Sequence, residues 1–147
     1  YMSPRGKRFD QTLAKKWAEA PGVIVLCGRF EGIDERILKH YDIEEISLGD
    51  FVMTGGEIAA QAMIDATVRL LPTVLGNPDS PLDESHSSGL LEYPQYTKPA
   101  EWKGQKIPET LLSGHHENIA KWRMDQAKTK TQKHRPDLWK TWNKVKD

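Results

Sequence analysis

Two glycine-bearing segments have the residue types and spacing expected of loops that hold a ligand through backbone groups. The first, residues 45–57, reads EISLGDFVMTGGE. Its three glycines permit backbone angles with positive φ and let the chain approach a ligand closely. Thr54 and Glu57 have the spacing of a capping box, so a helix is predicted to begin there with unpaired N–H groups in its first turn. A tight strand-to-helix turn without a ligand is the alternative for this segment taken alone.

The second segment is an apolar run that leads straight into a charged loop. Residues 23–27 read VIVLC, a short β-branched run of the kind found in buried parallel strands, and residues 28–36 follow as GRFEGIDER. Ligands of open α/β sheets bind at the C-terminal ends of the strands, so two such loops side by side predict one pocket. The GxGxxG pattern of dinucleotide-binding proteins does not follow the first strand.

Four segments together resemble one protein family. They are YMSPRG at 1–6, CGRFEGIDER at 27–36, SLGDFVMTGGE at 47–57 and LSGHH at 112–116. In order and spacing they are similar to the bacterial tRNA (guanosine(37)-N1)-methyltransferase family, TrmD, of the SPOUT superfamily. The resemblance covers nearly the whole chain and begins partway into the family's catalytic domain. We therefore expect a fragment without that domain's first strands and helices.

The resemblance implies a fold and a domain order. The fold class is α/β, a SPOUT-type parallel sheet with a deep trefoil knot plus a small α-helical C-terminal domain. The methyltransferase domain is predicted to span residues 1–76, incomplete at its start. A flexible interdomain linker at 77–90, punctuated by Gly, Pro, Asn and Ser, precedes a basic helical tRNA-binding domain at 91–147.

The implied methyl donor is S-adenosyl-L-methionine, held in the knot by three loops. Backbone donors and acceptors with apolar walls suit the adenine, which agrees with the Gly-rich and apolar composition of these loops. The predicted donor-binding residues are Tyr1, Met2, Ser3, Pro4, Gly28, Phe30, Gly32, Leu48, Gly49, Asp50, Phe51, Val52, Met53, Gly55 and Gly56.

The resemblance also implies catalytic residues. The acceptor is N1 of guanine, which carries a hydrogen, so a base is required. The family pattern has Asp where this chain has Glu84, with Asp83 next to it, and either carboxylate is a candidate. Arg69 would stabilise negative charge that builds on the guanine O6, although a positive charge near a helix C-terminus also has a purely structural use. Glu31 is predicted to position the base or the donor.

The charge distribution points to a polyanionic partner. Residues 1–97 carry 9 basic and 15 acidic side chains, whereas residues 98–147 carry 12 basic and 6 acidic ones. A basic C-terminal part is typical of nucleic-acid binding, although a solvated helix surface gives the same pattern. The resemblance implies that the partner is tRNA, and it also implies a homodimer. The predicted phosphate contacts are Lys121, Arg123, Lys128, Lys130, Lys133 and Arg135.

Two alternatives to tRNA methylation stay open. One is a SPOUT methyltransferase that acts on ribosomal RNA, and the other is a non-catalytic RNA-binding module whose glycine loops are structural only. The second alternative predicts no donor binding.

Several site classes are disfavoured by composition. The chain has one cysteine, Cys27, which excludes an intrachain disulfide, fits the reducing cytoplasm and is expected to be a small buried core residue. His115 and His116 are adjacent and lack further ligands nearby, so no metal site is predicted. No apolar run approaches the ~20 residues of a membrane span, so no membrane partner is expected.

Local patterns predict the helices that position these segments. Asp10 is expected to cap a helix whose apolar face includes Leu13, Ala14 and Trp17. A longer helix at 56–71 should carry an apolar stripe that packs in the core or in a dimer interface, and others are predicted at about 33–40, 117–131 and from 136. Residues 90–109 are expected to be irregular. The apolar stripe of the long helix comprises Ile58, Ala59, Ala62, Met63, Ala66 and Leu70.

Overall fold

The computed structural model describes residues 1–75 and 84–144. The chain divides into two compact units, Tyr1–Pro78 and Asp79–Asp147, called unit 1 and unit 2 below. Unit 1 combines parallel strands with helices, and unit 2 combines helices with a small antiparallel hairpin. The α/β class predicted from the sequence is present in unit 1.

Unit 1 contains two paired strands and three helices within its described residues. Strands β1 and β2 pair in parallel, with a bulge in β1 between Met2 and Lys7. Gly6 lies in this bulge against the backbone of Glu45, where any larger residue would overlap it. The elements are β1 (Met2–Arg8), α1 (Gln11–Glu19), α2 (Glu35–His40), β2 (Ile46–Ser47) and α3 (Glu57–Val68).

The N-terminal cap of α1 is the one predicted from Asp10. Its Oδ1 accepts a hydrogen bond from the backbone N–H of Leu13 at 2.9 Å. Leu13 and Ala14 are buried, and the ring of Trp17 packs against Phe9 with centroids 5.2 Å apart. The cap satisfies a backbone N–H that would otherwise be unpaired, and the apolar face of α1 packs against α3. Together these interactions fix α1 in place.

The core of unit 1 lies where the strands meet α1 and α3. Met2 and Ile46 from the two strands, Leu13 from α1, and Ala59 and Met63 from α3 form one buried cluster. Small residues on α3 let the helix approach the sheet closely. This cluster places the N-terminus of α3 beside the first residues of β1.

Part of the apolar stripe predicted on α3 packs in the core of unit 1, and its exposed part stays a predicted dimer interface. Ala59 and Met63 are buried, whereas Ile58 is 65% exposed and Ala62 is also exposed. The helix begins after Gly56, which makes no side-chain cap bond, so the predicted Thr54 capping box is wrong. The carboxylate of Glu57 instead accepts hydrogen bonds from its own backbone N–H and from Arg29.

The predicted buried strand at 23–27 is wrong. One backbone hydrogen bond joins this segment to β1, from Met2 N–H to the Leu26 carbonyl at 3.0 Å, and one bridge pairs Met2 with Cys27. Among the described residues no strand lies on its other side, so Ile24 is 91% exposed. Cys27 is likewise exposed rather than buried.

Unit 2 is built on a long helix with a buried hydroxyl in its core. Thr131 is fully buried; its Oγ1 accepts from Leu91 N–H at 2.8 Å and donates to the Ala127 carbonyl at 2.7 Å. Leu90 is buried beside it. The elements are β3 (Glu101–Trp102), β4 (Gln105–Lys106), α4 (Glu109–Leu112), α5 (His116–His134) and α6 (Pro136–Lys144).

Two features of unit 2 differ from the sequence-based expectation. Residues 101–106 form an antiparallel hairpin where irregular chain was predicted, with Glu101 opposite Lys106 and Trp102 opposite Gln105. Helix α5 is longer than predicted and includes His116.

Within the described part of the chain no helix is long and apolar enough to cross a bilayer, and no cluster of potential metal ligands occurs.

Candidate functional site

Three segments of unit 1 line one cavity of about 280 Å³, called the cup below. They are residues 1–5, 28–32 and 52–56. The first is the start of β1, the second follows the bridge at Cys27, and the third leads into α3. The chain thus brings together the two loops that the sequence analysis expected to share a pocket.

Glycines allow the walls of the cup to approach one another. A Cβ on Gly28 would lie 2.5 Å from the Tyr1 hydroxyl and 2.7 Å from its ring. A Cβ on Gly56 would lie 2.9 Å from the Met2 Cβ and 3.1 Å from the Cys27 Cα. The atoms around Gly56 are backbone atoms or are attached directly to the backbone, so a larger residue there would displace the floor of the cup, whereas Gly28 faces the flexible end of the Tyr1 side chain.

An ion pair joins the second and third segments. Arg29 Nε donates to Glu57 Oε1 at 2.8 Å. The backbones of the two segments also meet, since Arg29 forms an antiparallel β-bridge with Gly55 and the Gly56 N–H donates to the Gly28 carbonyl at 3.1 Å. The Glu57 carboxylate also accepts from its own backbone N–H; that bond, and secondarily Arg29, hold the pKa of Glu57 below its usual range. A negative charge at the helix N-terminus is favourable.

The loop between the two glycines of the second segment has an unusual backbone. Phe30 has a φ of 58° and is fully exposed, and Gly32 has a φ of 103°. Gly32 N–H donates to the Arg29 carbonyl at 3.3 Å, which closes the turn. Glu31 sits in this turn and lines the cup. Left-handed backbone at a large non-glycine residue is uncommon and often occurs at functional sites.

A second polar network fixes the first segment. Arg5 donates to Glu45 Oε1 at 2.8 Å, and a hydrogen bond from the Ser3 hydroxyl, followed by that from Arg5, lowers the pKa of Glu45. Tyr1 also joins this region, since its carbonyl accepts from Ile46 N–H at 2.9 Å. The start of β1 is therefore tied to the entry of β2.

The remaining predicted donor-binding residues lie in the turn after β2. Ser47 Oγ donates to the Gly49 carbonyl at 2.8 Å, and the Phe51 N–H donates to the same carbonyl at 2.9 Å. Leu48 and Phe51 line a smaller cavity of about 30 Å³ next to the cup. Asp50 is exposed in this turn. The predicted set thus covers two adjoining cavities and the turn beside them.

Arg69 is at the opposite end of α3 from the cup. It caps the helix C-terminus, is half-buried, and donates its backbone N–H to the Asp65 carbonyl at 3.2 Å. Helix α3 has 12 residues. At a rise of ~1.5 Å per residue, about 18 Å of helix separates Arg69 from Glu57 at the cup. An arginine side chain does not span that length.

Glu84 lies in unit 2, and Asp83 lies outside the described residues. Glu84 lines a cavity of about 280 Å³ together with Glu92, Tyr93 and Arg123. The turn that carries it is held by Glu92 N–H, which donates to Ser85 Oγ at 2.9 Å. Residues 84–90 of the linker predicted at 77–90 contain this hydrogen-bonded turn, residues 77–83 lie outside the described residues, and the flexibility of the linker stays a prediction.

The predicted phosphate-contacting side chains fall into two groups. Arg123 lies over the ring of Tyr93 at 4.9 Å, and Lys128 lies 3.9 Å from Asp125. Arg135 bonds Asp137 and lowers the pKa of that carboxyl to about 2. The other three cations form no ion pair within the described residues and are exposed. They are Lys121, Lys130 and Lys133.

The residues that sequence reasoning missed are the paired charges around the cup. Arg29 and Glu57 stand in the two loop motifs, and Arg5 and Glu45 stand just outside them. The available signal was the opposite charge of the residues that flank each glycine loop. It is a weak signal, because charged residues are common in loops and their pairing depends on the tertiary fold.

Comparison with known proteins agrees with the motifs. The profile of the family described as "tRNA (Guanine-1)-methyltransferase TrmD" matches residues 1–141. A tRNA (guanine-N(1)-)-methyltransferase of Ruegeria sp. (strain TM1040) is 64% identical over 139 residues, 95% of this chain and 57% of that protein. The protein of that name from Ruegeria pomeroyi is 63% identical over 147 residues, 100% of this chain and 60% of its own length. The one from Clostridium beijerinckii is 58% identical over 140 residues, 95% and 58% respectively.

These relatives are longer than the chain described here. The chain spans 57–60% of the length of these three curated relatives. The family match nevertheless covers nearly all of it, including the cup and most of unit 2. On the strength of that match the chain belongs to the tRNA (Guanine-1)-methyltransferase TrmD family.

Proposed function

We propose that this protein transfers a methyl group from S-adenosyl-L-methionine to N1 of guanosine 37 in tRNA, next to the anticodon. The observation that carries the proposal is the cup, because three of the four segments that resemble the family line one cavity. Relatives that share 58–64% of their aligned residues with this chain are named tRNA (guanine-N(1)-)-methyltransferase.

The residues of the cup fit the donor chemically. Its walls combine apolar side chains, such as Met2 and Met53, with the backbone groups of glycine-bearing loops that can bond an adenine edge. Glu31 adds a carboxylate to the lining, which complements a cationic ligand. When bound, S-adenosyl-methionine supplies an electrophilic methyl group on a sulfonium centre.

The chain's own side chains then manage the proton and the charge on guanine. A carboxylate from Glu84 or Asp83 accepts the N1 hydrogen, which leaves the N1 lone pair free to attack carbon. Arg69 donates to the O6 atom, where negative charge builds as the proton leaves. Glu31 orients the base or the donor, and this positioning accounts for much of the remaining rate enhancement.

The geometry of α3 supports a homodimer. Because about 18 Å of helix separates Arg69 from the cup of the same subunit, a single subunit does not bring both to one methyl group. We infer that one subunit supplies the cup, and its partner supplies Arg69 and the carboxylate. Within the family's SPOUT fold, the cup would correspond to the deep trefoil knot.

Unit 2 is the proposed tRNA-binding part. Its exposed cations, Lys121, Lys130 and Lys133, lie along α5 and would contact phosphates, which gives affinity and register rather than sequence choice. The target base must leave its stack to reach the cup. Because tRNA is the proposed substrate, we expect the protein to act in the cytoplasm.

The test is methylation of tRNA that carries either guanosine or adenosine at position 37. With labelled S-adenosyl-methionine, the proposal predicts label only in the guanosine form, recovered as N1-methylguanosine after nuclease digestion. Label in ribosomal RNA instead would favour the alternative SPOUT activity. Donor binding without any RNA methylation, or no donor binding at all, would contradict the proposal.

A further inference from the structure

The five tryptophans of the chain divide into four packed rings and one exposed ring. Four of the five tryptophans pack against another ring, Trp17 at 5.2 Å, Trp122 at 6.2 Å, and Trp139 with Trp142 at 5.4 Å between centroids. Trp102 is 58% exposed and makes no ring–ring contact within the described residues. Packing therefore leaves Trp102 as the tryptophan whose ring is open to a ligand.

The hairpin formed by β3 and β4 holds Trp102 at a tight turn. Trp102 pairs with Gln105 across a two-residue loop, Lys103–Gly104, whose φ angles are 50° and 78°. Positive φ at both positions matches the two-residue turns that suit the twist of a hairpin. The pair Glu101 and Lys106 closes the strands behind it. Trp102 is therefore fixed by the backbone rather than carried on a loose loop.

The surface around Trp102 is positively charged. Lys103 Nζ lies 4.9 Å from the centre of the Trp102 ring. Lys106 is 4.0 Å from Glu101, the acidic residue of the hairpin, while Lys103 forms no ion pair within the described residues. An exposed aromatic face flanked by lysines is the arrangement with which proteins bind single-stranded nucleic acid.

We propose that the tip of the β3–β4 hairpin is an RNA-contacting surface, with Trp102 stacked on an unpaired base and Lys103 on a neighbouring phosphate. This inference rests on the proposed function for its partner, tRNA, and adds a contact outside the cup and α5. Stacking on an indole accepts any base, so the hairpin contributes affinity and placement of the RNA rather than sequence choice.

The test compares two substitutions of similar bulk, Trp102→Phe and Trp102→Leu, in the purified protein. Phenylalanine keeps an aromatic face and leucine does not. We expect the Kd for tRNA to rise about 5- to 150-fold for Trp102→Leu, and far less for Trp102→Phe. The control is Thr141→Ala, because Thr141 is exposed on α6, outside the hairpin and the family segments, and its substitution should leave the Kd unchanged.

A second measurement separates stacking from a structural effect. Lys103→Ala should reduce the slope of log Kd against log salt concentration by about one, whereas Trp102→Leu should leave that slope as it is. Equal Kd values for the Phe and Leu variants would overturn the proposal. So would a Trp102→Leu variant that binds tRNA normally but changes the sedimentation of the protein, since the hairpin would then be a protein contact.

Wild-type behaviour distinguishes the two proposals. If wild-type protein methylates tRNA and both Trp102 variants bind it normally, the hairpin proposal alone fails. If wild-type protein neither binds nor methylates tRNA, the proposed function fails and the hairpin proposal fails with it.

Discussion

Replacing Gly56 by alanine should damage the floor of the cup by an amount that follows from the geometry. The new methyl group would lie 2.9 Å from the Met2 Cβ, 3.1 Å from the Cys27 Cα and 3.4 Å from the Gly28 N. The closest atoms belong to the backbone or are attached directly to it, so none moves aside by a rotamer change. Overpacking of this kind costs about 1–3 kcal/mol.

Thermal unfolding measures this cost. For a unit of this size each kcal/mol lowers the melting temperature by about 4–8 °C, so Gly56→Ala should melt clearly below wild type. Gly22→Ala is the matched control, because a Cβ there meets nothing within 4 Å. The control should match wild type or gain slightly, since alanine restricts the unfolded chain.

Donor binding provides the second readout of the same variant. Displacing Gly56 moves the start of α3 away from the loop at 28–32, so affinity for S-adenosyl-methionine should fall together with stability. If Gly56→Ala and the Gly22→Ala control had the same melting temperature, the close approach of β1, the bridge at Cys27 and α3 would be refuted.

Three further substitutions test separate parts of the account. Arg69→Ala should lower turnover by about 10²–10³-fold while donor binding survives, and lost donor binding would remove Arg69 from the catalytic role. Glu57→Gln should weaken donor binding a few-fold through its exposed pair with Arg29, and the advantage of wild type over this variant should be lost only as the pH falls below the ordinary carboxyl range. The sign follows from the lowered pKa of Glu57: the carboxylate stays charged until the pH falls through that value. Thr131→Val should destabilise unit 2 by about 1–3 kcal/mol by chemical denaturation, because Leu91 N–H loses its buried acceptor; an unchanged midpoint would refute that role.

Local rules predicted the parts of the fold that depend on neighbours in sequence. Asp10 caps α1 as expected, because the acceptor and the N–H of Leu13 are three residues apart. The Thr54 capping box failed because Glu57 turns to Arg29, a residue distant in sequence. The hydrophobic periodicity and the composition of a segment carry no information about a partner that is distant in sequence.

Burial was the other point at which sequence patterns failed. The run at 23–27 has the composition of a central strand, yet Ile24 and Cys27 are exposed because no described strand pairs with its second edge. The hairpin at 101–106 was missed because its only strong signal is one glycine, Gly104, in a two-residue turn. Neighbouring strands and turn geometry are properties of the folded chain.

The glycine loops of the candidate site were recognisable because their motifs resemble a known family. The ion pairs around these loops, Arg29 with Glu57 and Arg5 with Glu45, are visible only in the folded structure. The choice between Glu84 and Asp83 as base is a matter for substitution of each in turn, with turnover at saturating tRNA as the readout.

The most direct test of the central claim is a calorimetric titration of the protein with S-adenosyl-methionine, repeated with S-adenosyl-homocysteine. The account predicts saturable binding of both ligands near one per subunit, weakened by Gly56→Ala and unaffected by Gly22→Ala. Absence of binding by protein that unfolds cooperatively would contradict the assignment of the cup as the donor site.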